Sequence, residues 1–261
     1  MIAESEIIPY HVSLPPGGRV LVLAPHPDDE TLGCGGAIRL YTESKKKVKV
    51  VFLTSGDKAD PANRLSQRVR GDMHITDYSL MREKEAEDAL RVLGVSDYAF
   101  LRFPDRELAE HSSAVENMLM QAAEDFQPDI IFSPSVIELN PDHRATAYLS
   151  MELQRNISHA NVMVGLAFYE VSTPLRPNML LDISAVFGRK KKAAIKYRSQ
   201  LKLIDYLGHM TALNTLRSLT VRGADHVEAV WFSAQPQSED QMKRWLGYLD
   251  IIAPSIASQQ N

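Results

Sequence analysis

The stretch that decides the fold is residues 19–30, RVLVLAPHPDDE. Its first half, Arg19–Ala24, is short and almost wholly apolar, which is typical of a strand buried on both faces of a parallel sheet. Its second half, PHPDDE, places polar residues and prolines directly after that strand. Because ligands of open α/β sheets bind outside the carboxyl ends of the strands, this loop is the first candidate for a functional site.

Strand-like and helix-like segments alternate on the C-terminal side of that stretch. Further strands are predicted at residues 47–54, 97–102, 128–133, 162–170 and 179–183, with an edge strand at 226–233. Helices are predicted at residues 31–44, 79–93, 113–125, 142–156, 184–207 and 238–252. The alternation favours βαβ units. We therefore expect an α/β fold of the Rossmann-like kind, a mostly parallel sheet with helices on both faces.

Composition places the chain among ordinary globular proteins. Its 261 residues suit one domain of the α/β class, so we expect a single domain over 1–261. The formal net charge of −4 gives no basic field, which argues against nucleic acid or an anionic membrane as a partner. The N-terminus lacks a signal-peptide pattern, and no apolar run is long enough to span a membrane. A cytoplasmic location is the expectation.

Cysteine usage restricts the kind of metal site that the chain can build. The only cysteine is Cys34, which excludes an intramolecular disulfide and a zinc site made of two or four thiolates. A bound metal would therefore take its ligands from histidine, aspartate and glutamate, and the chain has 8 histidines.

Two loops at the same edge of the predicted sheet carry residues that suit a metal. His26 and Asp29 follow the first strand, and His143 lies in ELNPDH, which follows strand 128–133. Two histidines and one aspartate that leave positions for water are typical of catalytic zinc. Asp28 can face the same space without binding the ion. Asp142 either caps its helix or orients a neighbouring ligand. Residues 27–30 could also be a turn followed by a helix that begins with acidic residues, without any metal. That alternative does not explain the second loop, ELNPDH.

The order of motifs resembles the PIG-L/LmbE-like family of zinc-dependent N-acetyl sugar deacetylases, which includes N-acetylglucosaminyl-phosphatidylinositol de-N-acetylases. The most specific similarity is APHPDDE at residues 24–30 together with PDH at 141–143. Weaker similarities follow in order, namely REKE at 82–85 before LGV at 93–95, FPD at 103–105, YRSQ at 197–200 and EAV at 228–230. The resemblance covers about residues 18–233 and leaves the predicted helix 238–252 outside it.

The resemblance implies a role for each matching residue. It makes His26, Asp29 and His143 the ligands of Zn²⁺, although another divalent metal would suit the same donors. It makes Asp28 the general base. Arg82 and Asp105 would contact sugar hydroxyls, which suits their hydrogen-bonding capacity.

One position departs from the family pattern. Many members have His-Pro-Asp-His, and this chain has Asn140 in place of the first histidine. An asparagine can donate a hydrogen bond to an oxyanion, but it cannot act as an acid near neutral pH. We therefore expect Asp28 to serve as both base and acid, with Asn140 at most polarising the carbonyl.

The predicted activity is removal of an acetyl group from the amide nitrogen of an N-acetylated amino sugar or sugar conjugate. Two alternatives stay open, a metal-dependent hydrolase of another bond such as a phosphoester, and a sugar-binding module without turnover. The loop over residues 56–78 either recognises substrate or is a solvated surface. The sequence is compatible with a homo-oligomer.

Overall fold

A computed structural model describes residues 10–60, 76–158, 163–238 and 241. Its strands are β1 (His11–Val12), β2 (Arg19–Ala24), β3 (Lys47–Thr54), β4 (Asp97–Phe103), β5 (Ile130–Pro134), β6 (Gly165–Tyr169), β7 (Met179–Asp182) and β8 (Val227–Ser233). Its helices are α1 (Asp29–Glu43), α2 (Asp77–Leu93), α3 (Ser112–Phe126), α4 (Pro141–Ile157), α5 (Phe187–Ala194), α6 (Arg198–Leu201) and α7 (Tyr206–Ser218), with a 3₁₀ turn at Asp57–Ala59. The predicted α/β class is confirmed.

One eight-stranded sheet has the order β1-β7-β8-β6-β5-β2-β3-β4. All pairings are parallel except those of β8, which runs antiparallel to both β6 and β7. From β2 the chain builds β3 and β4 on one side and then returns to β5 and β6 on the other. The strand order therefore reverses between β2 and β5, and the loops that follow these two strands flank the crevice where such sheets bind ligands.

The core lies on both faces of the sheet, as expected for a parallel sheet covered by helices. Along β2, Val20 and Val22 belong to one apolar cluster, while Leu21 and Leu23 belong to the cluster on the opposite face. None of these four side chains is more than 1% exposed. The strand that leads to the PHPDDE loop is thus fixed from both sides.

Helix α1 is kinked directly behind that loop. Cys34 leaves the helical region at φ −135° and ψ 23°. The N–H groups of Gly36 and Ala37 donate to the Glu228 carboxylate of β8, at 2.7 and 2.8 Å. The buried Lys190 ammonium pairs with the same carboxylate at 2.7 Å. The carboxylate thus replaces the carbonyl partners that the kink removes.

Two predicted elements are corrected by the structure. Residues 226–233 are not an edge strand, because β8 lies between β7 and β6 and is hydrogen-bonded on both sides. The helix predicted at 184–207 is broken into α5, α6 and the start of α7. Tyr197 and Asp205 adopt ψ values of 58° and 61°, and the Asp205 carboxylate caps α7 by accepting the N–H of Gly208.

Some predictions fall outside the described residues. The helix predicted at 238–252 lies almost wholly outside them, and so do residues 61–75 of the 56–78 loop. Within the described ranges, no helix combines the length and the apolar character needed to cross a membrane.

Candidate metal centre and active site

Three predicted metal-ligating side chains meet at the crevice between β2 and β5. Oδ2 of Asp29 lies 3.0 Å from Nδ1 of His26 and 3.2 Å from Nε2 of His143. Ligand atoms of the three residues all lie within 4.8 Å of one another, and all three side chains are buried. Residues more than 110 positions apart in the sequence therefore form one cluster.

Local structure explains how the cluster forms. His26 lies in the loop that follows β2, and Asp29 is the first residue of α1. His143 lies in the first turn of α4, whose start is fixed by Pro141 and by Asn140, whose Oδ1 accepts the N–H of Asp142 at 2.8 Å. Proline at the first helical position and asparagine at the N-cap are both favoured, because proline has no N–H to satisfy and the asparagine side chain accepts one of the free N–H groups of the first turn.

A second group of carboxylates lies near the outer nitrogens of the two imidazoles. Nε2 of His26 lies 3.1 Å from Asp105 Oδ1 and 3.2 Å from Asp142 Oδ2. Nδ1 of His143 lies 3.6 Å from Glu138 Oε2. Carboxylates in these positions orient a metal-binding histidine and raise its basicity. Asp105, expected to contact sugar, thus also contacts an imidazole.

The residues present fit a zinc ion. Tetrahedral Zn²⁺ with bonds of about 2.0–2.2 Å separates its donor atoms by roughly 3.3 Å. The separations of 3.0 and 3.2 Å in the cluster come close to that value. Two imidazole nitrogens and one carboxylate oxygen are donors that zinc accepts readily, and each imidazole has a carboxylate near its other nitrogen.

The charges in the cluster stabilise one another. Burial opposes ionisation of Asp29, but the His143 and His26 imidazoles hold its pKa well below the usual range. Burial also opposes protonation of His143, yet Asp29 and Glu138 raise its pKa to about 9. The site is therefore built to hold a positive charge, and a cation that binds there must displace a proton from His143.

Asp28 lies beside the cluster in a strained conformation. Its backbone has φ 137° and ψ −28°, a region that costs a non-glycine residue of order 1–3 kcal/mol. In an extended chain the side chains of successive residues point to opposite faces. Here Asp28 and Asp29 both line the same cleft. The strained turn therefore places a second carboxylate beside the three ligands.

Arg82 is the cation that faces Asp28. Its guanidinium lies 3.2 Å from Oδ2 of Asp28 and also donates to the carbonyls of Gly56 and Pro27. Burial raises the pKa of Asp28 to about 7, although Arg82 lowers it. The arginine predicted to contact sugar is thus engaged with the carboxylate and with the two neighbouring loops.

The cluster opens into a cleft of about 230 Å³. Asn140 lines it. Its Oδ1 accepts the backbone N–H of Asp142, and its amide N–H groups donate no hydrogen bond to the protein among the described residues. Sequence reasoning missed the cleft-lining side chains of Arg106, Ser172, Gln200 and Tyr206. The YRSQ motif was a signal for Gln200, whereas Tyr206 begins a helix that was not predicted.

The chain is similar to several known proteins. The diacetylchitobiose deacetylase of Thermococcus kodakarensis is 27% identical over 195 residues, which are 70% of each chain. A probable N-acetyl-alpha-D-glucosaminyl L-malate deacetylase 2 of Bacillus cereus is 29% identical over 193 residues, covering 70% of this chain and 83% of that one. The crystal structure of a conserved protein from Thermus thermophilus superposes with a TM-score of 0.68 at 28% identity, covering 84% of this chain and 96% of that one.

A family model described as GlcNAc-PI de-N-acetylase matches residues 21–154. The match begins in β2 and ends in α4, so it contains all three side chains of the cluster. It also spans just over half of the chain. The protein therefore belongs to the PIG-L family of GlcNAc-PI de-N-acetylases.

Proposed function

We propose that the protein is a zinc-dependent N-deacetylase that hydrolyses the acetamide of an N-acetylated amino sugar or sugar conjugate. The observation that carries the proposal is the buried His26–Asp29–His143 cluster, with Asp28 beside it in an open cleft. Relatives named as deacetylases of N-acetylated sugars support the same reaction.

His26, Asp29 and His143 would hold the metal. When bound, Zn²⁺ supplies a Lewis acid that polarises the amide carbonyl and makes water a better nucleophile at neutral pH. The outer carboxylates keep both imidazoles in the orientation that this requires.

Asp28 moves the protons in this mechanism. As general base its carboxylate accepts a proton from the water that attacks the amide carbon. As general acid it returns that proton to the nitrogen, so that the C–N bond breaks to give a free amine and acetate. Arg82 favours the ionised form of Asp28 before the attack, because it lies 3.2 Å from the carboxylate.

Asn140 would stabilise the oxyanion. Its amide hydrogens line the cleft and cannot be transferred near neutral pH, so they act as hydrogen-bond donors only. The Asp105 carboxylate also lines the cleft and remains our candidate, with Arg82, for contacts to sugar hydroxyls.

The experiment that tests the proposal measures the product. Purified protein loaded with Zn²⁺ is incubated with a panel of N-acetylated sugars and of sugar phosphates, and acetate and phosphate are quantified. We expect acetate from at least one N-acetylated sugar and no phosphate. Asp28→Asn should abolish the release, whereas the exposed Asp125→Asn should leave it unchanged. Phosphate release, or equal acetate release by wild type and Asp28→Asn, would contradict the proposal.

A further inference from the structure

The strained backbone of Asp28 is held by the side chain of Glu30, two residues further along the chain. Its N–H donates to Oε2 of Glu30 at 3.2 Å, and its carbonyl accepts the N–H groups of Thr31 and Leu32. The two carbonyl contacts form the ordinary first turn of α1. The contact with Glu30 is the one that restrains the N–H side of the strained residue.

Glu30 is itself fixed by hydroxyl groups. It is 0% exposed, and no cation pairs with it among the described residues. Its Oε1 accepts hydrogen bonds from the hydroxyls of Thr31 and Tyr197, the latter at 2.5 Å. Thr31 is the next residue of the same helix turn, so within the part of the chain that the structure describes only Tyr197 ties the carboxylate to another part of the fold.

Tyr197 reaches Glu30 because the chain leaves the helix there. It lies between α5 and α6, where its ψ of 58° departs from the helical value, and its side chain is buried at 2% exposure. Neither Tyr197 nor Glu30 belongs to the three-residue cluster or lines the cleft. The hydroxyl of Tyr197 is therefore connected to the cleft through Glu30 and the Asp28 backbone.

We propose that Tyr197 is a positioning residue, whose hydroxyl acts through the Glu30 carboxylate to hold Asp28 in the backbone conformation that aims its side chain into the cleft. The inference rests on the proposed function, in which Asp28 is the base. It gives Tyr197, the first residue of the YRSQ segment, a role in the reaction in addition to its place in the helix break.

The test compares two variants, each of which removes the hydroxyl group of one buried tyrosine. Tyr197→Phe removes the hydroxyl that holds Glu30. Tyr41→Phe removes an equally buried hydroxyl, which donates to the carbonyl of Pro15 far from the cleft. We expect Tyr197→Phe to lower kcat about tenfold, with KM within twofold and metal content unchanged. Tyr41→Phe should leave all three unchanged.

Glu30 supplies a second pair of variants, which serves if Tyr197→Phe fails to fold. Glu30→Met removes both acceptor oxygens at similar size, whereas Glu30→Gln keeps one for the Asp28 N–H. We expect Glu30→Met to lower kcat at least as much as Tyr197→Phe, and Glu30→Gln to restore most of it. Because Tyr197 acts through Glu30, adding Tyr197→Phe to Glu30→Met should cause no further loss.

Crystal structures of the variants give a readout that does not depend on activity. We expect Asp28 to leave the positive φ region in Tyr197→Phe and to keep it in Tyr41→Phe. An Asp28 backbone that stays in place, or a kcat that stays within twofold of wild type while the backbone moves, overturns the inference. If wild type releases no acetate, the proposed function fails instead. The conformation of the Asp28 backbone in the Tyr197→Phe crystal structure then still tests whether Tyr197 positions Asp28.

Discussion

The buried ion pair behind α1 gives the sharpest prediction of stability. Lys190→Met keeps the length of the side chain and removes the ammonium that lies 2.7 Å from Glu228 Oε1 and 2.9 Å from Asn214 Oδ1. The side chains of the pair are 0% and 1% exposed, so water cannot replace the lost partner. Removal of one partner from such a pair typically costs about 3–5 kcal/mol, because a buried charge is left uncompensated.

That cost is a large fraction of the roughly 5–15 kcal/mol by which folded domains are stable. Urea denaturation followed by far-ultraviolet circular dichroism measures it. The control is Lys49→Met, which breaks a 2.9 Å pair with Asp97 that is partly exposed. Exposed pairs contribute about 0–1 kcal/mol, so the control should stay within about 1 kcal/mol of wild type.

The double variant Lys190→Met/Glu228→Gln separates charge from packing. It leaves no buried charge, and the carboxamide oxygen still accepts one of the two N–H groups, those of Gly36 and Ala37, that bond to separate oxygens of the Glu228 carboxylate. We expect it to be more stable than Lys190→Met alone. A single variant within about 1 kcal/mol of wild type, or a double variant less stable than the single one, would refute the reasoning.

Three further predictions concern the site. Asp28→Asn should lower kcat at least about a hundredfold while metal content by mass spectrometry stays at the wild-type level, and loss of metal would contradict its role as base. His143→Ala should lose metal and acetate release together, and full metal content in this variant would exclude it as a ligand. Asn140→Asp, which keeps a helix-capping oxygen but loses the amide donor, should lower kcat roughly tenfold to a hundredfold without loss of thermal stability, and unchanged kcat would exclude an oxyanion role.

Much of this architecture could be predicted because the local pattern determines it. The bounds of β2 and β3 agree with the mostly apolar runs at 19–24 and 47–54, since strands buried on both faces carry a nearly continuous apolar signal that only charged residues near their first ends interrupt. The cluster of His26, Asp29 and His143 followed from the rule that parallel strands present their carboxyl-end loops at one edge.

The rest depends on contacts that no local pattern contains. Helix α7 was missed because only Met210 and Asn214 of it are buried, so it shows no apolar stripe. The place of β8 inside the sheet depends on pairing with β6 and β7, and the sequence of one strand does not specify its neighbours. The contact between Tyr197 and Glu30 joins residues 167 positions apart, through a helix break that helical periodicity cannot reveal.

The central claim is that the metal is held by His26, Asp29 and His143. A competing cluster shares the first histidine, because Nε2 of His26 also lies close to Asp105 and Asp142. Anomalous diffraction at the zinc edge, from crystals grown with Zn²⁺, distinguishes the two. We expect a single strong peak in contact with Nδ1 of His26, the Asp29 carboxylate and Nε2 of His143, whereas a peak between Nε2 of His26, Asp105 and Asp142 would contradict this ligand set.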